Sequence, residues 1–318
     1  MLKTPAFWYR PPGLIAWLLW PLSLVYRLGR TVHVASARCR VFTVPVICIG
    51  NAVAGGAGKT PTAIAIAPMV AGAHIVTRGY GGALKGPVRV TDSHTAADVG
   101  DEALLLAVVA PVWVAQNRVL GIEAAIAAGA KAVILDDGLQ NPYIAATANV
   151  LVIDSAPVVG SFGNGMVLPA GPLREPLAAV INRVDAVITI NAPVPDRLKD
   201  KPAFRAILKP DISQLDISAR YVAFSGMARP EKFFTTARAA GLNVVMTFSY
   251  PDHHTFSGQE WLDLQRAARE CNGRLLTTAK DAVRFDERQR AQLAVLPVAL
   301  EFAAALALHQ WLQEKTGA

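Results

Sequence analysis

Short apolar runs recur along the chain from residue 44 onward. Those over 44–50, 74–77, 112–115, 132–135, 150–153 and 186–190 are too short for helices and predict buried strands. Between them, 63–71, 101–110 and 121–130 read as helices. Strand and helix in alternation imply an α/β fold, a parallel sheet covered on both faces. A second set follows Pro210, with strands near 221–224, 244–248, 274–277 and 295–300 and helices near 230–240 and 259–271. The stretch between the sets carries Pro193, Pro195, Pro202 and Pro210, and a hinge is placed over 196–217. The chain then divides into a core over 41–195 and a smaller α/β domain over 218–318.

The first 40 residues follow a different pattern. An uncharged run over 11–26 contains Pro12 and Pro21 and is edged by Trp8, Tyr9, Trp17, Trp20 and Tyr26. It falls short of the roughly 20 apolar residues a membrane-spanning helix needs. Its aromatic and basic flanks suit a helical segment lying in the membrane interface. Two other readings compete with this one: a core helix, and a secretory signal suggested by Lys3, Arg10 and the Ala35-Ser36-Ala37 triplet.

Composition sharpens the picture at this end. Ten lysines and arginines precede the first acid, Asp92, leaving 21 of the 31 to face all 24 acids. The net charge of +7 therefore belongs to the N-terminal part, which seeks lipid, phosphate or nucleic acid. Nucleic acid is the weakest of these, because the aromatics sit in an apolar run instead of a solvated basic face. Cys39, Cys48 and Cys271 are too scattered for a zinc site and odd in number for a disulfide framework, as in a reducing cytoplasm.

The stretch VPVICIGNAVAGGAGKTPT, residues 44–62, joins a strand to a helix through a glycine-rich turn, with Val53 where a first glycine is usual. In such a loop the backbone of Ala54, Gly55, Gly56, Ala57 and Gly58 closes around phosphate oxygens. Lys59 reaches the terminal phosphates, Thr60 ligates magnesium, and Thr62, in the first helical turn, is a further expected phosphate contact. A metal carboxylate is then expected at a neighbouring strand end, and KAVILDDG supplies Asp136 and Asp137. Either aspartate fits. Asp101 and Glu102 stand at a helix start, where a carboxylate can cap the helix or oppose its dipole.

The chain resembles the tetraacyldisaccharide 4'-kinases, the lipid A kinases of Gram-negative bacteria. The likeness rests on PAFWYRPPG, WPLSLVYRLGR, ICIGNAVAGGAGKTPT, TRGYGG, VGDEALLLA, DDGLQNP, LPAGPLREP, AFSGMARPEKFF, YPDHHTF and TTAKDAVRF. It implies ATP and Mg2+, and a membrane-embedded acylated glucosamine disaccharide 1-phosphate phosphorylated at its 4'-hydroxyl. It also implies a peripheral enzyme at the lipid surface of the cytoplasmic face of the inner membrane, with no obligate protein partner.

In the family pattern Asp101 pairs with His253 to activate the hydroxyl, a duty suited to a histidine held against a carboxylate. With one partner in each domain, the pair forms on domain closure. Arg78, Tyr80, Arg118 and Arg174 match family motifs as contacts to substrate or phosphate, and Glu102, beside Asp101, is placed to assist the metal. His254, beside His253, is expected to be a loop residue without a role.

Two departures stand out. DDGLQN replaces the more common DDGFQH, changing an apolar plug to Leu139 and a histidine to Asn141, and TTAKD places Ala279 where an acid is usual. Val53 and Ala54 are compatible with the family's own loop. A membrane-associated ATPase switch of the partition or division-site type also carries a GGxGKT loop, but it uses a lysine near the position of Ala54. A soluble small-molecule kinase would leave the N-terminal segment unexplained.

Overall fold

The structure, a computed structural model, describes residues 5–55, 58–154, 162–227 and 230–317. The expected phosphate contacts Gly56 and Ala57 lie outside the described residues. The strands are β1 (Val46–Gly50), β2 (Ala73–Thr77), β3 (Val88–Arg89), β4 (Val112–Val114), β5 (Ala132–Asp136), β6 (Ala148–Asp154) and β7 (Ala186–Ile190). They continue with β8 (Ala203–Pro210), β9 (Arg220–Ser225), β10 (Asn243–Ser249), β11 (Arg274–Thr278), β12 (Leu293–Leu296) and β13 (Val298–Phe302).

Nine strands form the larger sheet in the order β13-β8-β7-β6-β1-β5-β2-β4-β3. All its pairings are parallel except those of the edge strands β13 and β3. Every residue of β1, β5 and β7 is buried, which is why these strands read as unbroken apolar runs. Ile47 and Ile49 pack with Ile66 and Leu106 on one face, while Val46 and Cys48 pack with Ile122 and Ala125 on the other. β1 lies between β5 and β6, so the loops leaving these three strands meet at one end of the sheet. In open α/β sheets that is where ligands bind.

The smaller sheet, β10-β9-β11-β12, is parallel throughout. Tyr221 and Ala223 pack on Phe234 of the helix Pro230–Ala239. Val222 and Phe224 pack on Trp261 and Leu264 of the helix Gly258–Glu270.

Three expectations change here. The hinge placed at 196–217 contains β8, an integral strand of the larger sheet. The run 295–300 is two strands, because Pro297 cannot donate to a ladder and separates β12 in one sheet from β13 in the other. After β13 the helix Ala305–Thr316 buries Leu308, Trp311 and Leu312 in the larger sheet's core, so 298–316 do not belong with the smaller sheet.

The N-terminal segment is one helix, Leu14–Ser36, that runs through Pro21 and buries only Ala16 and Ser23. Among the described residues no helix is long and apolar enough to cross a membrane.

Candidate active site

A cleft of about 3120 Å³ is lined from both sheets, by Lys59, Asp136 and Arg118 on one side and Lys232, His253 and Lys280 on the other. The glycine-rich loop leaves β1 and returns as the helix Lys59–Ile66. Gly58 makes that return at φ +82°, where a Cβ would stand 2.3 Å from Ile190 Cδ1. Only glycine meets both demands without strain. Lys59 is nearly buried, with its Nζ 3.6 Å from Asp137 Oδ1. Gly55 and Thr60 also line the cleft.

Two expected phosphate contacts are committed elsewhere. The Ala54 N–H donates to Pro172 O at 2.7 Å. Thr62 is fully buried, and its hydroxyl donates to Gly58 O at 2.7 Å.

The two aspartates at the end of β5 differ sharply. Asp137 Oδ1 accepts from Arg174 Nη1 at 2.8 Å and faces Lys59. Burial alone would raise its pKa, but Lys59 and Arg174 outweigh burial and hold it below the ordinary carboxylate range. Asp136 is 3% exposed, and its Oδ1 has no hydrogen-bond partner among the described residues. Burial, then the charge of Glu102, lifts its pKa to about 7. Of the two, Asp136 is the one with a buried carboxylate oxygen left unpaired among the described residues.

Arg174 Nη1 serves both Asp137 and Gln140 Oε1, the latter 3.1 Å away, and the residue also lines the cleft. Arg78 is exposed. Arg118 donates to Gln116 O at 3.0 Å, while its buried Nε has no partner among the described residues. Burial, with the nearby charge of Arg78, lowers its pKa. Two like charges facing one cleft form an anion-seeking pair.

Asp101 begins the helix Asp101–Ala107 directly after Gly100. Gly100 has φ +86° and ψ 149°, a region essentially reserved for glycine, and a Cβ there would lie 2.4 Å from Tyr80 O. The tight corner aims Asp101 at the smaller sheet. Its Oδ2 meets His253 Nδ1 at 3.1 Å and accepts from Arg284 Nη2 at 2.5 Å and Nε at 3.2 Å.

His253 lies in the loop after β10 at φ +57°, and its N–H donates to Gly226 O at 3.1 Å. Tyr80 covers its ring at 5.6 Å between centroids. Lys280 Nζ stands 3.5 Å from His253 Nε2 and 3.5 Å from Glu102 Oε1. His254 is half-buried, bonded to Glu260 at 2.9 Å and stacked on Tyr250, which accounts for it structurally.

Burial would raise the pKa of Asp101, but the His253 hydrogen bond, Lys280 and Arg284 outweigh it and hold it well below the usual range. A depressed carboxylate stabilises the fold above its unfolded pKa of about 4 and loses that contribution as pH falls through its folded value. Urea unfolding should therefore show Asp101→Asn less stable than wild type at pH 7, with the gap closing as pH falls below about 4. A gap independent of pH would contradict this assignment.

Sequence reasoning passed over Arg284 and Lys280, although both sit in the TTAKDAVRF stretch. Their charge within a family motif was the available signal. It also gave no role to Glu175, Gln140 and Asn51, which join the glycine-rich loop to its surroundings. Asn141 takes a turn position, its Oδ1 accepting from Tyr143 N at 3.0 Å, and Leu139 remains a buried plug against Gly50.

A family model described as Tetraacyldisaccharide-1-P 4'-kinase matches residues 15–317. The tetraacyldisaccharide 4'-kinase of Rhodospirillum centenum is 43% identical over 314 residues, 94% of this chain and 92% of its own. That of Parvibaculum lavamentivorans is 44% identical over 300 residues, 89% of this chain and 87% of its own. The solved structure of LpxK from Aquifex aeolicus in complex with ATP shares the fold, with TM-score 0.76 at 23% identity, covering 95% of this chain and 100% of that one. None of these findings points to a partition or division-site ATPase, and the chain belongs to the tetraacyldisaccharide-1-P 4'-kinase family.

Proposed function

We propose that the protein transfers the γ-phosphoryl group of ATP to the 4'-hydroxyl of a membrane-embedded tetraacylated glucosamine disaccharide 1-phosphate. The observation that carries this reading is the 3.1 Å contact of Asp101 with His253 in the same cleft as Lys59. A phosphate-holding loop and a hydroxyl-activating pair are the two parts phosphoryl transfer to an alcohol requires.

Lys59 and the loop backbone hold the phosphates, and Arg78 and Arg118 bind anionic oxygens of either substrate. Asp101 keeps the His253 Nδ1–H oriented, so that Nε2 accepts the hydroxyl proton. The acceptor oxygen bonds to the γ-phosphorus as the bond to the β,γ-bridging oxygen breaks, and ADP leaves. Arg284 neutralises Asp101, which orients the imidazole and does not take up the proton itself.

Asp136, Thr60 and Glu102 fit Mg2+, since the orphaned Asp136 Oδ1 and a second carboxylate are what a hard cation seeks. The described residues contain no cluster of three or more acidic, histidine or cysteine ligands. That matches an ion held by one or two carboxylates and substrate phosphates. When bound, it would neutralise charge on the β- and γ-phosphate oxygens.

The N-terminal helix supports a seat on the lipid surface of the cytoplasmic face of the inner membrane. Leu14, Leu18, Val25 and Leu28 are each about two-thirds exposed or more. Such an apolar face is the kind that lies in a membrane interface.

The test is transfer of labelled γ-phosphate from ATP to purified tetraacyldisaccharide 1-phosphate in mixed micelles. Label in the lipid is the expected result. ATP hydrolysis with no labelled lipid would overturn the reading.

A further inference from the structure

Glu175 is a carboxylate that the chemistry above leaves unused, and it is 3% exposed. Its Oε2 accepts from Arg30 Nη2 of the N-terminal helix at 2.9 Å and from Arg183 Nη1 at 3.2 Å. Its Oε1 accepts from Arg183 Nη2 at 2.6 Å and from Gln140 Nε2 at 3.4 Å. A buried acid so placed is held for its charge, because desolvation is offset only by paired donors.

The surrounding segment, 162–175, is gripped from two sides. On the N-terminal side, Ser23 Oγ and Tyr26 Oη of the helix donate to Val167 O at 2.8 Å and to Arg174 O at 3.1 Å, and Trp8 Nε1, ahead of the helix, donates to Pro169 O at 3.0 Å. On the loop side, Ala54 N–H donates to Pro172 O and Arg174 N–H to Ala52 O, and Val53 pairs with Leu173. Gln140 completes the link, donating to Asn51 O at 2.8 Å while its Oε1 accepts from Arg174, the partner of Asp137.

We propose that Glu175 is a positioning residue through which the N-terminal helix sets the geometry of the phosphate loop. The inference rests on the reading of that loop as the ATP site. Glu175 touches no reacting atom. Its charge fixes Arg30 on one side and Gln140 on the other, and Gln140 fixes Asn51 and Arg174. Loss of the Arg30 guanidinium leaves Arg183 as the remaining charged partner and frees the carboxylate to swing away from Gln140. The loop and the Lys59–Asp137–Arg174 group then lose their common anchor. The Asp101–His253 pair keeps its residues.

The experiment measures ATP affinity and the KM values for ATP and lipid acceptor on the full chain in detergent micelles. It compares wild type with Arg30→Ala, Arg30→Lys, Glu175→Gln and the solvent-side control Thr31→Ala. Arg30→Ala and Glu175→Gln should weaken ATP binding about tenfold, since remote displacements of about 1 Å can cost a hundredfold in function. The acceptor KM should hold, Arg30→Lys should recover part of the loss, and Thr31→Ala should match wild type. Should Glu175→Gln fail to fold, the two Arg30 variants decide. A lower melting temperature with unchanged ATP affinity in Arg30→Ala would overturn the inference. Wild type failing to bind ATP would overturn the reading of the loop itself.

Discussion

Replacing Asp101 with asparagine is expected to lower kcat for phosphoryl transfer by about 10²–10⁴-fold, the range a positioned acid–base group contributes. The amide keeps the shape of the carboxylate and removes the charge that holds both His253 and Arg284. The side chain is 4% exposed, so water cannot replace the lost acceptor. Arg284 retains Asp281 at 2.8 Å and Gly226 O at 3.2 Å, so it is not stranded when its charge partner at position 101 is gone. KM for ATP should stay near wild type, because among the described residues Asp101 bonds to Glu102, His253 and Arg284 and not to the phosphate loop. Steady-state kinetics on the purified variant check this, and a loss confined to KM would remove Asp101 from the chemistry.

Lys59→Ala is the second large effect. Loss of a fixed donor to developing charge typically costs about 10²–10³-fold in kcat, and Lys59 is the cation at the head of the loop helix. It is 12% exposed and faces Asp137, so its ammonium is already aimed into the cleft. Lys59→Arg should not restore activity, since a planar guanidinium does not replace a compact ammonium in a confined site. Single-turnover transfer at saturating ATP separates this from weakened binding. Wild-type rates in either variant would show that the loop does not hold the reacting phosphates.

The larger sheet was legible because its central strands are buried on both faces and so appear as apolar runs between helices. β8 escaped notice for the opposite reason: exposed and buried residues alternate along Ala203–Pro210, and the flanking prolines Pro202 and Pro210 resemble a linker. The return of the chain at Pro297 was equally hidden. Nothing in 295–300 says that its two halves pair with different partners, one parallel and one antiparallel.

The site divides along the same line. GKT and the aspartate pair at the end of β5 mark themselves by residue type next to strand ends, and the histidine of PDHH by its place in a family motif. The pairs that organise them do not. Arg284 and Asp101 are 183 positions apart, and Arg30 and Glu175 are 145 apart. No local spacing expresses such contacts, and only the folded chain distinguishes the orphaned Asp136 from the paired Asp137.

The central claim is that Asp101 and His253, brought together from the two sheets, act as one unit on the acceptor hydroxyl. A double-mutant cycle in the labelled-transfer assay tests it most directly, with Asp101→Asn, His253→Asn and the pair. Asparagine at 253 tolerates the positive φ found there. The account predicts that the double variant is no slower than the worse single variant, because residues acting as a unit are lost together. Losses that multiply would show two independent contributions and contradict it.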